Sequence, residues 1–153
     1  MVPVGSRCRC PDLSFLYPRI TRSLPPLITA MAAMDALTHA FEAAIGLAKN
    51  PISDAYAHGA IKKISQNLKA VMEDPRNLDG RMELAQAAAM AGIAFSNSMV
   101  GVVHSLGHSV GAICHLPHGM CMSIFLPYVL EYNLETCRQE IADLLLPLAG
   151  AER

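Results

Sequence analysis

Apolar side chains recur every three or four residues along most of the chain, and strict alternation of apolar and polar residues is almost absent. The first spacing is typical of the buried face of an α-helix, whereas alternation would indicate strands. We therefore expect an all-α protein, a helical bundle. Only the short apolar run at residues 13–17, ended by Pro18, predicts a strand. Residues 1–12 carry no periodicity and are expected to be disordered.

Prolines, polar caps and turn residues divide the helical pattern into segments. Pro25-Pro26 starts the first, whose central part covers about residues 30–47, and Asn50-Pro51 starts the second. Later helices are expected at 81–95, 104–115, 120–133 and 134–148, with a kink at Pro127 and a flexible entry at 96–101. In the second helix a row spaced by four residues is predicted to face the core: Ile52, Tyr56, Ala60, Ile64, Leu68 and Met72.

Composition narrows the class of protein. The 153 residues are 52% hydrophobic, which is enough for one domain with a buried core. A net charge of -1 and 5% aromatic residues without Trp argue against a nucleic-acid partner. No signal peptide and no apolar run of membrane-spanning length occurs, so we expect no membrane contact and a cytoplasmic location. The five cysteines are irregularly spaced and are interpreted as reduced thiols.

Four of the six histidines fall between residues 101 and 119. If residues 104–115 form one helix, His104, His108 and His115 lie within about 40° of one another. His104 and His108 are then roughly 6 Å apart along the axis and can share a metal ion, whereas His115 is about 16 Å from His104 and cannot. Pro117 ends the helix, and a turn there can return His118 toward His104. Spacing alone favours His104 with His108, and a stripe of hydrogen-bonded or solvated rings explains it as well.

A second group of candidate ligands lies upstream, in Asp35-Ala-Leu-Thr-His39-Ala-Phe-Glu42. On a helix Asp35, His39 and Glu42 occupy an arc of roughly 60°. One carboxylate with three imidazoles suits Fe(II), Zn or Mn better than Ca or Mg. An ordinary amphipathic helix accounts for the same pattern without a metal.

Together the two segments resemble the two signatures of the iron-containing (group III) alcohol dehydrogenases. The matching residues are Asp35-Ala-Leu-Thr-His39 and Gly101-x-x-His104-x-x-Gly-His108-x-x-Gly111-x-x-x-x-x-Pro117-His118-Gly119. In such enzymes the aspartate and histidine of the first motif and two histidines of the second hold the metal. The resemblance therefore implies Asp35, His39, His104 and His118 as ligands, in place of the His104 and His108 pair. It leaves His108 facing substrate or cofactor.

The resemblance also implies a function. In these enzymes a C-terminal helical domain supplies the metal and an N-terminal α/β domain binds NAD or NADP. The implied reaction is hydride transfer between a small alcohol or aldehyde and the nicotinamide, with Fe(II), or Zn, polarising the oxygen and His108 relaying the proton. Iron against zinc and NAD against NADP stay undecided, and homo-oligomer formation is left open.

The expected domain organisation is that of a fragment. Residues 26–153 should form the helical metal-binding domain, incomplete at its C-terminus, and residues 13–25 the strand and linker remaining from a nucleotide-binding domain. No glycine-rich phosphate loop precedes a helix, so we expect the chain to have little or no activity alone. One alternative is a noncatalytic metal-binding helical module. The other is a metal-dependent hydrolase, which would release its product without nicotinamide.

Overall fold

The structure, a computed structural model, describes residues 13–149 and is largely helical. The described residues contain no strand, which confirms the predicted all-α class. Residues 1–12, which were expected to be disordered, lie outside the described residues. A short 3-10 helix, Pro18–Ser23, precedes six α-helices: α1 Pro26–Ile45, α2 Pro51–Glu73, α3 Leu78–Ser98, α4 Val102–Cys114, α5 His118–Asn133 and α6 Arg138–Leu148.

Local capping explains where several of these helices begin. The Asn50 side chain accepts hydrogen bonds from the Ile52 and Ser53 N–H groups at 3.1 Å, and the Ser53 hydroxyl oxygen accepts from the Asn50 N–H at 2.9 Å. This reciprocal capping box fixes the start of α2. Asn77 caps α3 in a similar way, accepting from the Gly80 N–H at 2.9 Å.

Helix α1 lies at the centre of the bundle. It packs against α2, α3 and α5, while α5 also packs against α4 and α6 against α2. Small side chains let these helices approach closely, because an alanine adds little bulk between two helix backbones. The fully or almost fully buried alanines lie on α1, α2 and α3: Ala40, Ala43, Ala57, Ala60, Ala87, Ala91 and Ala94.

The predicted core row of α2 is wrong in part. Ile52 is 64% exposed, and the buried positions of the helix include Ser53, Ala57 and Ile61 beside Ala60 and Ile64. Each step of four residues turns about 40° beyond a full helical turn, so a strict four-residue row moves around the helix. The buried face instead mixes steps of three and four residues.

Three boundaries also differ from the prediction. Residues 13–17 have no regular structure, because a lone strand has no neighbour with which to pair its backbone. The expected flexible entry at 96–98 is the last turn of α3, where the Ser98 hydroxyl donates to the Ala94 carbonyl at 3.0 Å. Helix α6 begins at Arg138 rather than at residue 134, after a turn.

Helices α3 and α4 meet at a bend of 105°. Met99 lies at this bend with φ 69° and ψ 175°, a backbone conformation that is essentially restricted to glycine. Within residues 13–149 no single helix meets the length and hydropathy expected of a membrane span, although α3 and α4 counted together do.

Candidate metal centre

Five predicted site residues from three helices lie close together. Asp35 and His39 belong to α1, His104 and His108 to α4, and His118 is the first residue of α5. One potential ligand atom from each of Asp35, His39 and His104 lies within 4.8 Å of the others. His115, in contrast, follows the end of α4 in a left-handed conformation with φ 54° and is exposed.

One oxygen of Asp35 is the common neighbour of three imidazoles. Its Oδ1 is 3.0 Å from Nε2 of His118, 3.6 Å from Nε2 of His104 and 3.7 Å from Nδ1 of His39. The His118 side chain is 42% exposed, whereas that of His104 is 3% exposed. The cluster therefore has a buried side, formed by α1 and α4, and an open side at the start of α5.

One glycine allows this convergence. A Cβ atom at Gly119 would lie 2.3 Å from the Met31 carbonyl oxygen, so glycine lets the first turn of α5 rest on α1. This close backbone approach brings His118 to the carboxylate on α1. At Gly107, in contrast, a Cβ atom would lie 2.0 Å from Cε of Met122, which is the flexible end of a side chain and not backbone.

The rings themselves pack against one another. His39 stacks on Phe95 with ring centroids 4.3 Å apart and lies 4.2 Å from the His104 ring. The His104 and His118 centroids are 5.5 Å apart. Phe95 is half-buried and shields one face of His39 from water. The His39 ring is thus in contact with the apolar Phe95 ring and with the His104 imidazole.

His108 occupies a different position. It is exposed, with its ring 5.7 Å from that of His104 in an edge-on arrangement and stacked on His118 at 5.1 Å. Burial and the positive charges of His118 and His104 lower the pKa of His108 below its ordinary value. A neutral imidazole therefore faces solvent beside the cluster.

Glu42 is the site residue whose role the sequence did not reveal. It is 2% exposed, and its Oε2 lies 2.5 Å from Nδ1 of His104. Its Oε1 accepts the N–H of Val103 at 2.6 Å. The signal available in the sequence was a carboxylate seven residues after Asp35, on the same arc of an otherwise apolar helix. The partner could not be identified from spacing, because Glu42 and His104 are 62 residues apart.

Electrostatics differ sharply among the imidazoles. Burial lowers the pKa of His39 to about 4, aided by the charges of His104 and His118. Burial also opposes the charged form of His104, but the interactions with Asp35 and Glu42 outweigh it and raise the pKa to about 9. Burial likewise opposes ionisation of Asp35, yet the neighbouring imidazoles keep the pKa of that carboxyl below its ordinary value. Without a metal, the cluster thus carries two carboxylates, a neutral His39 and a proton on His104.

The donor set fits a divalent transition metal. Asp35 Oδ1 and His104 Nε2 are buried atoms without a hydrogen-bond partner, and such atoms are costly unless something binds them. With metal bonds of about 2.1 Å, neighbouring ligands lie about 3.0 Å apart in an octahedral site and about 3.4 Å apart in a tetrahedral one. The three distances from Asp35, 3.0 to 3.7 Å, are close to those spacings.

Comparisons with known proteins identify the family of the chain. The sequence profile described as Fe-containing alcohol dehydrogenase family, C-terminal, matches residues 29–152. The NADPH-dependent butanol dehydrogenase of Clostridium saccharobutylicum is 37% identical over 142 residues, covering 92% of this chain and 36% of that protein. The 1,3-propanediol dehydrogenase of Klebsiella pneumoniae is 39% identical over 134 residues, covering 88% of this chain and 35% of that protein.

Solved structures give the same result for the fold. The alcohol dehydrogenase from Oenococcus oeni superposes with a TM-score of 0.85 at 34% identity, over 86% of this chain and 34% of that one. The chain therefore spans about a third of the length of the relatives that it matches. The resemblance inferred from the two sequence motifs is confirmed, and the chain belongs to the Fe-containing alcohol dehydrogenase family, within its C-terminal region.

Proposed function

We propose that the chain is the metal-binding part of an NAD(P)-linked alcohol dehydrogenase, with Asp35, His39, His104 and His118 as ligands to Fe(II) or Zn. The observation that carries the proposal is the convergence of four donors from α1, α4 and α5, with two buried ligand atoms lacking a hydrogen-bond partner. Neutral imidazoles and one carboxylate oxygen suit these ions better than Ca or Mg.

The proposed substrate class is taken from the relatives. Two of them are a butanol dehydrogenase and a 1,3-propanediol dehydrogenase, so a small primary alcohol or its aldehyde is proposed here too. When bound, the metal would supply a Lewis acid for the alcohol oxygen, and the nicotinamide cofactor would accept the hydride. The residues of this chain would then orient the alcohol and remove its proton.

His108 is the residue proposed to move that proton. It is exposed, it lies beside His104 and His118, and its lowered pKa keeps it neutral near pH 7. A neutral imidazole can accept the hydroxyl proton as the alcohol becomes an aldehyde and pass it to solvent. On the opposite side, Phe95 keeps water from the face of His39 on which it stacks.

The first test is metal content. The chain should bind one Fe(II), under anaerobic conditions, or one Zn²⁺, and elemental analysis should find little metal in His104→Ala and His118→Ala. His115→Ala is the matched control, because His115 is an exposed histidine of the same region that lies outside the cluster. Equal metal in all four proteins would refute the ligand assignment.

The second test is turnover. Residues 29–149 replace the matching segment of the Klebsiella pneumoniae 1,3-propanediol dehydrogenase, so that the chimera has the full length of an enzyme. We expect reduction of NAD⁺ or NADP⁺ with a primary alcohol, and loss of that rate in His108→Ala without loss of metal. A metal-loaded chimera without turnover would favour the noncatalytic metal-binding module.

A further inference from the structure

Glu42 makes contacts to two different kinds of group with its two oxygens. Oε2 lies 2.5 Å from Nδ1 of His104, and Oε1 accepts the backbone N–H of Val103 at 2.6 Å and approaches that of His104 at 3.4 Å. Val103 and His104 belong to the first turn of α4, whose N–H groups have no partner within the helix. The carboxylate of Glu42 therefore caps α4 and contacts one of its histidines at the same time.

The residues around Glu42 fix the orientation of its carboxylate. The residue is 2% exposed, and a Cβ atom at Gly101 would lie 3.0 Å from its Oε1, so glycine at the start of α4 makes room for the carboxylate. Both oxygens already have partners within the protein, Oε1 the Val103 N–H and Oε2 Nδ1 of His104, and water has almost no access to them. Glu42 is thus held in one orientation by α4 while it belongs to α1.

We propose that Glu42 is a positioning residue that keeps the proton of neutral His104 on Nδ1 and so presents the lone pair of Nε2 to the metal. A neutral imidazole has one N–H and one lone pair, and a carboxylate only accepts hydrogen bonds, so the nitrogen that faces Glu42 is the protonated one. Nε2 is then the free nitrogen, and it lies 3.6 Å from Asp35 Oδ1, buried and without a hydrogen-bond partner. The metal itself rests on the proposed function above.

The variant Glu42→Gln separates the two contacts of the carboxylate. Glutamine has nearly the same shape but only one oxygen, and the Val103 N–H requires that oxygen. The NH₂ group then faces Nδ1 of His104 and donates to it, which favours the tautomer with the proton on Nε2. A protonated Nε2 cannot bind a metal, so the proton must first move from Nε2 to Nδ1 before His104 can act as a ligand.

The experiment reads the tautomer directly. Long-range ¹H–¹⁵N spectra of the metal-free chain, at alkaline pH where the ring is neutral, should place the His104 proton on Nδ1, and on Nε2 in Glu42→Gln. The Zn²⁺ affinity of Glu42→Gln, measured by chelator competition at the same alkaline pH so that protons do not compete for His104 in either protein, should be roughly 10- to 100-fold weaker than that of the wild type. The matched control is Thr38→Val, which removes a buried hydroxyl of α1 that donates to the Met34 carbonyl at 2.8 Å. It should change stability without changing tautomer or affinity.

The outcomes separate this inference from the proposed function. A wild-type chain that carries the proton on Nε2 would overturn the role of Glu42, even if Glu42→Gln failed to fold. Glu42→Gln with unchanged tautomer and a zinc affinity within twofold of wild type would overturn it as well. A wild-type chain that does not bind zinc but has the proton on Nδ1 would refute the metal site and leave the orientation of His104 by Glu42 standing.

Discussion

The close contact of α5 with α1 at Gly119 allows the loss of zinc affinity in Gly119→Ala to be predicted. In Gly119→Ala the new Cβ would lie 2.3 Å from the Met31 carbonyl oxygen, 2.7 Å from its carbon and 2.8 Å from the Met31 Cβ. Ordinary contact begins near 3.4 Å. The obstacle is backbone rather than the end of a flexible side chain, so the first turn of α5 must move about 1 Å away from α1.

His118 precedes Gly119 and moves with it. Its Nε2 is 3.0 Å from Asp35 Oδ1, and metal–ligand distances tolerate only about 0.2 Å. We expect Gly119→Ala to bind Zn²⁺ at least about tenfold more weakly, which corresponds to about 1.4 kcal/mol. Overpacking should cost about 1–3 kcal/mol of unfolding free energy, offset in part by the better helix propensity of alanine, at most about 1 kcal/mol.

The assays are zinc titration by chelator competition and urea unfolding of the metal-free chain. Gly92→Ala is the matched control, because a Cβ at this position of α3 meets nothing within 4 Å. It should gain up to about 1 kcal/mol of stability and bind zinc normally. If Gly119→Ala binds zinc like the wild type and is as stable as Gly92→Ala, the contact between α5 and α1 does not position His118.

Three further predictions concern stability. Met99→Gly should raise the unfolding free energy by about 1 kcal/mol, because it relieves the backbone strain at φ 69° and ψ 175° and removes a side chain that is 67% exposed. Met99→Ala keeps the strain and should not raise the unfolding free energy. Equal gains in the two variants would refute strain as the cause. The unfolding free energy of the metal-free chain should fall by as much as about 3 kcal/mol between pH 6.5 and 9, because the pKa of His104 is about 9 in the folded chain and 6.5 ordinarily. The stabilisation by protonated His104 is therefore complete below pH 6.5 and disappears as the pH rises through 9. His104→Gln should lack that decline in urea unfolding across this pH range, and an identical decline would exclude His104 as its source. Zinc at 100 times its dissociation constant should raise the unfolding free energy of the wild type by about 2.7 kcal/mol. The same gain in Asp35→Asn, at the same zinc concentration, would show that the ion binds elsewhere.

The helices could be predicted from the sequence where local chemistry decides. Asn50 with Pro51 was predicted to mark the start of the second helix, and α2 does begin at Pro51. Residues 13–17 were expected to be a strand on the strength of an apolar run, but a strand requires a partner and the described residues supply none. Ile52 was assigned to the core by spacing alone, but which face of a helix is buried depends on neighbouring helices that spacing does not reveal.

The candidate metal centre could likewise be predicted where residues are close in sequence, and not where the contact depends on packing between helices. Spacing paired His104 with His108, because residues four apart share a helix face, and their rings are indeed 5.7 Å apart. It could not show that the turn at Pro117 brings His118 to 3.0 Å from Asp35, and the family motif supplied that expectation. Glu42 was visible as a carboxylate on the correct arc, but its contact with His104 depends on how α1 and α4 pack.

The division of the cluster between a central helix and an outer one matters for redesign. Asp35, His39 and Glu42 share α1 with the alanines that pack the middle of the bundle, so substitutions in α1 would disturb the cluster and the packing of the bundle together. The open flank of α4 is different, because Ser105, His108 and Ser109 are exposed and the two serine hydroxyls bond only to their own helix. Substitutions meant to change the surface beside the cluster should therefore be made at Ser105 and Ser109 and should leave α1 unchanged.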